Sequence, residues 1–510
     1  MIFFVILAVY FSCMKKNLLK IFPLMFILLV NSSLYAQQED NEKFVATTLE
    51  EMDGFNLYPS YEVYLQMMQR FADSYPEICS LVEIGESVKK RKILAVKISD
   101  NVHDEEYDEP EFFYSSTIHG NETAGFNLML RLIDYLLKNY SSDSYVTKLV
   151  DNVQIYINPL ANPDGTYHHG NEDVEESTRY NANGIDLNRS FPEIGKELPE
   201  HLEPEVKCMM EFAENHYFSI SANLHGGSEI LNYPWDSFYA NELPLPDDYW
   251  FRQVCAKYVN KAREVDPGYM KSSISPSGYV FGSEWYKISG GRQDYMNYYR
   301  RCREITIELS NIYVLSPMYL EDYWQKNREP FLNYIGETLN GVTGIVTDVY
   351  GNEIKDAEIV VMDKDKPYTT VFTNEGGYYF RHLPADSLYE IAVYADGYKT
   401  ANQVVKTEND NLVVLNFMLQ RGESSHPLPT VETPENEYFT AVNRGGMLEM
   451  SSSQTIRKVD IVAADGRPVA KFYPKTDKTE YHLNNCAQGI YVIKADCGGR
   501  TFTQKIVITK

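Results

Sequence analysis

Cysteine is scarce in this chain. Seven occur among 510 residues, and no two stand in a C-x-x-C spacing, which excludes a paired-cysteine zinc site and a dithiol redox motif. Cys13 falls in a leader described below; the other six, Cys79, Cys208, Cys255, Cys302, Cys486 and Cys497, suit disulfides in an exported protein, with Cys486 and Cys497 the nearest pair. Positive charge is also short. Lys and Arg number 47 against 72 Asp and Glu, a formal net charge of -25, which repels a phosphate backbone and argues against nucleic acid as a partner, whereas a cationic substrate is attracted. Nor is there an uninterrupted membrane span: Lys15, Lys16 and Lys20 break the N-terminal apolar run before it reaches the ~20 residues needed.

What that N-terminus does contain is a leader. From Met14, "MKKNLLKIFPLMFILLVNSSLYAQQ" has a basic start, an apolar stretch through Val30 and a small residue, Ala36, before polar sequence. Residues 1–36 therefore read as a signal peptide cleaved after Ala36, with translation starting at Met14.

Length suggests about three domains at ~150 residues each. Residues 44–338 alternate strand-like and helix-like patterns, as α/β domains do. "EFFYSSTI" (111–118) reads as a buried strand, and the following segment puts Leu128, Leu132, Leu136 and Leu137 on one helical face. Residues 341–421 change to short strand-like runs separated by "YGN", "NEGG" and "ADG", the pattern of a small β-sandwich. Residues 422–438 carry Pro427, Pro429 and Pro434 and read as a linker. Residues 439–510 return to short strands.

The string "HGNE" occurs at 119–122 and again at 169–172. A catalytic zinc takes three protein ligands and keeps one position open. His119 and Glu122 follow a strand that fixes the backbone while the turn aims both side chains into one cleft, and His225, where "YFSISANLHGG" ends another strand, supplies a third ligand. His169 and Glu172 lie in "TYHHGNEDVEESTRYNANG", a loop without period. "NGIDLNRSFP" sets Asn188 beside Arg189, an amide and a planar guanidinium suited to clamping a carboxylate. In "EITIELS", alternation puts Glu304, Thr306 and Glu308 on one side of an apolar strand, where a carboxylate is costly without a task or a partner.

With "HGNE", "NPLANPDG", "RYNANGIDLNRSFP", "SANLHGG", "NYPWD" and "GGRQDYMNYYRRCREITIELS" in this order, the chain resembles the zinc metallocarboxypeptidases of the carboxypeptidase A family, within it the regulatory N/E branch. The resemblance implies a mixed-sheet α/β catalytic domain followed by two small β-sandwich domains, and one Zn²⁺ held by His119, Glu122 and His225. It implies Asp186 as the carboxylate orienting the first histidine, Asn188 and Arg189 as the clamp for a terminal carboxylate, Arg179 as the oxyanion partner, Tyr286 as the tyrosine closing over substrate and Glu308 as general base. Asp236, with Gln293 alongside, matches the acid that gives this branch its preference for terminal Lys or Arg. Two positions depart from or divide the pattern: Arg292 stands where the branch has an apolar residue, able to neutralise Asp236 by pairing, and Asn121 replaces the arginine of the digestive branch. Residues 341–421 resemble the transthyretin-like module of the branch, and 439–510 a type IX sorting domain of Gram-negative bacteria. The expectation is an exported enzyme, secreted or on the cell surface, acting on peptide or protein C-termini, without a membrane span in the mature chain and engaging an outer-membrane secretion machinery. The alternatives are a carboxypeptidase of neutral or cell-wall-peptide specificity, and a catalytically inactive surface binding protein, against which Glu308, Tyr286 and the three ligands speak.

Overall fold

The computed structural model describes residues 43–508 apart from 197, 424–425, 427, 429–438, 445–446, 464–466, 484–485 and 498–499. The expected signal peptide and most of the linker lie outside the described residues.

An eight-stranded mixed sheet organises the first part of the chain. In spatial order its strands are Cys79–Glu86, Lys92–Ile98, Gln154–Asn158, Glu111–Ser116, Phe218–His225, Arg303–Ser310, Ser228–Tyr233 and Tyr279–Phe281. The four in the middle of this order, from Gln154–Asn158 to Arg303–Ser310, run parallel. Parallel strands are covered on both faces, and the sequence supplies apolar residues for each. Phe112 and Tyr114 pack into one core, while Phe113 between them packs into the other, the period of two that a pleated strand imposes.

The helix Ala124–Asn139 covers one face with Leu128, Leu132, Leu136 and Leu137 all buried. Helices Tyr61–Ser74, Asp248–Val265 and Leu320–Gly336 add to the same core. On the opposite face, Pro204–Glu214 contributes Val206, Met209 and Phe212.

Two four-stranded sheets follow, one around Gly341–Asp348 and one ordered Val371–Phe372, Glu358–Val361, Leu388–Tyr394, Ala401–Lys406. They enclose a core of their own that includes Val342, Ile359, Ile391 and Phe417. This unit is joined to the first through buried charge. Asp247 accepts from Arg303 at 2.9 Å and from Arg381 at 2.9 Å, with Lys364 at 3.3 Å. Burial opposes a charged carboxyl there, but Arg381, Arg303 and Lys364 together hold it well below the usual carboxylate range. Removing one partner of such a buried cluster strands the others without compensation.

A six-stranded sheet built on Met447–Ala463 ends the chain. The expected disulfide there is not formed. Cys486 precedes the strand Gly489–Cys497 and Cys497 ends it, and an extended strand of that length separates its ends by about 26 Å, whereas bridged Cα atoms lie within about 7 Å. Among the described residues, no helix is long and apolar enough to cross a membrane.

Candidate metal centre and substrate cleft

Three side chains converge where the central parallel strands end. His119 and Glu122 stand in the turn between Glu111–Ser116 and the helix Ala124–Asn139, and His225 closes the strand Phe218–His225. The turn presses onto the segment around Gly165 so closely that a Cβ on Gly120 would lie 2.2 Å from the Gly165 carbonyl carbon, so only glycine fits there. All three side chains are buried, at 2–3% exposure. Nδ1 of His119 is 2.8 Å from Oε1 of Glu122, Nδ1 of His225 is 2.7 Å from Oε2 of Glu122, and the two Nδ1 atoms are 3.1 Å apart.

Two imidazole nitrogens and one carboxylate facing a common point are a donor set that fits zinc, leaving a fourth position open. The outer atoms fit as well. Asp186 Oδ1 lies 3.1 Å from Nε2 of His119, and Asn223 Nδ2 lies 2.8 Å from Nε2 of His225. Turning the Asn223 amide over presents its unpartnered Oδ1 to the His225 Nε2–H, the orientation required when Nδ1 carries a metal. A second acidic group, Asp100, Glu106 and Glu109, has no histidine and is only half-buried.

Around these ligands runs a cleft of about 230 Å³. Glu308 borders it, paired in register with His225 across adjacent strands, and its buried Oε2 has no hydrogen-bond partner among the described residues. Burial, then the negative charge of Glu122, pushes the Glu308 carboxyl well above its ordinary range; a cation among the ligands works against both causes. Arg179 donates to Asp186 at 2.9 Å and to Glu122 at 3.2 Å. Asn188 accepts the Arg292 backbone N–H on Oδ1 at 2.8 Å, which leaves its NH₂ end as the donor for a ligand. Exposed Arg189 and half-exposed Tyr286 line the rim.

A family model described as zinc carboxypeptidase matches residues 64–330, just over half of the 510-residue chain. Carboxypeptidase M of Mus musculus is 33% identical over 336 residues, covering 64% of this chain and 76% of that protein. The chain belongs to the zinc carboxypeptidase family. Carboxypeptidase D of Homo sapiens is 35% identical over 378 residues, 72% of this chain but 27% of that protein; the chain spans about a third or less of the carboxypeptidase D relatives it matches. Among solved structures, carboxypeptidase A from Helicoverpa armigera has 21% identity and a TM-score of 0.46, covering 55% of this chain and 73% of that one. A carboxypeptidase regulatory-like domain matches residues 341–420, and a secretion system C-terminal sorting domain matches 444–509.

In this member of the zinc carboxypeptidase family the cleft carries a further buried acid. Asp236, 4% exposed, accepts from Gln293 at 2.9 Å and Asn232 at 3.2 Å. Burial, then the nearby Asp294 carboxylate, raises its pKa well above the usual range. Gly282 makes room for it, since a Cβ there would stand 2.0 Å from Asp236 Oδ1. Nine of the residues singled out in the sequence line the one cleft: His119, Glu122, His225, Glu308, Arg179, Tyr286, Asn188, Arg189 and Asp236. Asp186 and Gln293 sit behind it, bonded to His119 and Asp236.

Arg292 corrects the reading that it neutralises Asp236. Its fully buried guanidinium pairs with Glu304 at 3.0 Å and lies over the Phe113 ring, 4.8 Å from the centroid. Sequence reasoning missed Asn223, Asn232 and Asp294, polar neighbours whose only signal is their nearness to His225, Asp236 and Gln293. The second HGNE copy lies apart, with His169 half exposed and 3.4 Å from Glu176. Zinc content separates the two copies: His169→Ala is expected to retain about one zinc per chain, and His119→Ala to lose it. Elemental analysis giving the reverse would refute the ligand assignment.

Proposed function

We propose that this protein removes a single C-terminal residue, Lys or Arg by preference, from peptides or proteins outside the cell. The observation that carries the preference is Asp236, a buried carboxylate lining the cleft with no cation in ion-pair contact with it among the described residues. A terminal guanidinium or ammonium group meets it there in a charge-assisted hydrogen bond. The sorting domain supports export, by type IX secretion in a Gram-negative bacterium, to the surface or the medium.

His119, Glu122 and His225 hold the zinc. Bound there, it supplies Lewis-acid polarisation of the scissile carbonyl and a lowered pKa for the attacking water. Glu308 accepts the proton of that water on its unpartnered Oε2 and returns it to the leaving amine. Arg179, steadied by Asp186, donates to the carbonyl oxygen as negative charge grows on it. Asn188 and Arg189 clamp the substrate's terminal carboxylate, so that only the last peptide bond reaches Glu308, and Tyr286 closes the rim. Arg292, the cation that the sequence placed beside Asp236, has its charge committed to Glu304 and does not neutralise it.

Glu308→Gln should keep its zinc and fold while losing about 10²–10⁴-fold in kcat, the usual worth of general-base catalysis; turnover near wild type would remove Glu308 from this role. For specificity, kcat/KM should be higher for a peptide ending in Arg than for its twin ending in Leu, and Asp236→Ala should reduce that ratio by about 10–100-fold. The ratio also has a direction with pH. Burial, then Asp294, raises the Asp236 pKa against the opposing pull of Arg189, so acidification protonates Asp236 while the pocket is empty. Selectivity for Arg over Leu should therefore rise with pH, and a ratio flat in pH would contradict the assignment.

A further inference from the structure

The specificity pocket rests on a wall that the catalytic unit does not supply alone. Trp235, immediately before Asp236, is 1% exposed, and its indole N–H has no hydrogen-bond acceptor among the described residues. Packing, to which its ring contacts contribute, therefore orients the side chain. Its two ring neighbours come from different places. Tyr298, with ring centroids 6.1 Å apart, ends the helix Arg292–Tyr298 that carries Gln293 and Asp294. Tyr368, at 6.0 Å, comes from the regulatory-like β-sandwich, on the loop after strand Glu358–Val361. Tyr368 also stacks on Tyr298, with centroids 5.6 Å apart and planes at 18°. One sandwich side chain thus touches both elements that bear the polar groups of the pocket.

Hydrogen bonds fix the loop that carries this ring. The Tyr368 hydroxyl donates to the Pro244 carbonyl at 3.0 Å, and Lys364 Nζ donates to that of Pro246 at 2.6 Å. Arg301 donates to Pro367 O at 2.8 Å and Arg303 to Thr369 O at 2.7 Å. From Trp235 the path to the pocket is short. The Asp236 N–H donates to Asp294 Oδ1 at 2.8 Å, and the Trp235 carbonyl accepts from Ser283 at 2.8 Å. A shift of the indole therefore moves the Asp236 backbone, and a shift of Tyr298 moves the helix that aims Gln293 at the Asp236 carboxylate.

We propose that Tyr368 is a positioning residue for specificity: acting through Trp235 and Tyr298, the sandwich sets where Asp236 and Gln293 meet the terminal side chain of the substrate. This rests on the reading of Asp236 given above. It makes the second domain part of the specificity pocket although none of its residues lines the cleft.

The test uses the full chain with Tyr368→Ala and Tyr368→Phe, paired peptides ending in Arg or Leu, and zinc content as a control. Losing both ring pairs should raise KM for the Arg peptide about tenfold, with kcat within about twofold and KM for the Leu peptide unchanged. Tyr368→Phe keeps the rings and should keep the wild-type ratio. If Tyr368→Ala does not fold, Tyr368→Leu, which fills the space without a ring, carries the same measurement. An unchanged KM for Arg, an equal fall in kcat for both peptides, or a Phe variant as poor as Ala would overturn the proposal. The wild-type ratio is read first. A wild type without preference for Arg refutes the role given to Asp236, and the Tyr368 effect is then read on KM for whichever terminal residue the wild type favours.

Discussion

The site depends on one register. Strand Arg303–Ser310 pairs in parallel with Phe218–His225 so that Glu308 lies opposite His225, and Glu111–Ser116 pairs on the other side of that strand so that Ser116 lies opposite Leu224. Side chains alternate along a strand with a period of two, so a slip of one residue would send Glu308 to the opposite face. The register is held by what it buries: Ile305, Ile307 and Leu309 on one face of the last strand and the Glu304–Arg292 pair on the other. The chemistry is thus placed by the same packing that stabilises the sheet. This agrees with the general placement of ligand sites outside the carboxyl ends of parallel strands.

Charge is distributed around the cleft in layers. Glu122, Glu308 and Asp236 are buried acids at its wall, and Asp186, Asp294 and Glu304 stand behind them. The cations are fewer and are committed: Arg179 to Asp186 and Glu122, Arg292 to Glu304. Such a surplus of buried negative charge is unfavourable unless a cation enters. The arrangement offers two places for one, among the histidines and beside Asp236, which is where the proposed metal and the proposed basic side chain of a substrate would enter.

Much of this was legible in the sequence because it is local. The strand Glu111–Ser116, the turn bearing His119 and Glu122 and the apolar face of the following helix are all visible as period and spacing within thirty residues of chain. What was not legible depends on direction or distance. Arg292 and Gln293 are neighbours in sequence, but successive residues of a helix point about 100° apart. Gln293 therefore faces Asp236 while Arg292 turns into the core to meet Glu304 on the next strand. Cys486 and Cys497 looked close by counting residues, and an extended strand carries them apart. The ring of Tyr368 behind Trp235 joins positions more than a hundred residues apart in separate domains, which no local pattern encodes.

This register would build a metal site from His119, Glu122 and His225. Anomalous diffraction from crystals of the zinc-loaded protein, recorded at the zinc absorption edge, tests it most directly. One dominant peak is expected within coordination distance of both His Nδ1 atoms and the Glu122 carboxylate. A peak at Asp100, Glu106 and Glu109 or beside His169, with none among the three ligands, would contradict it.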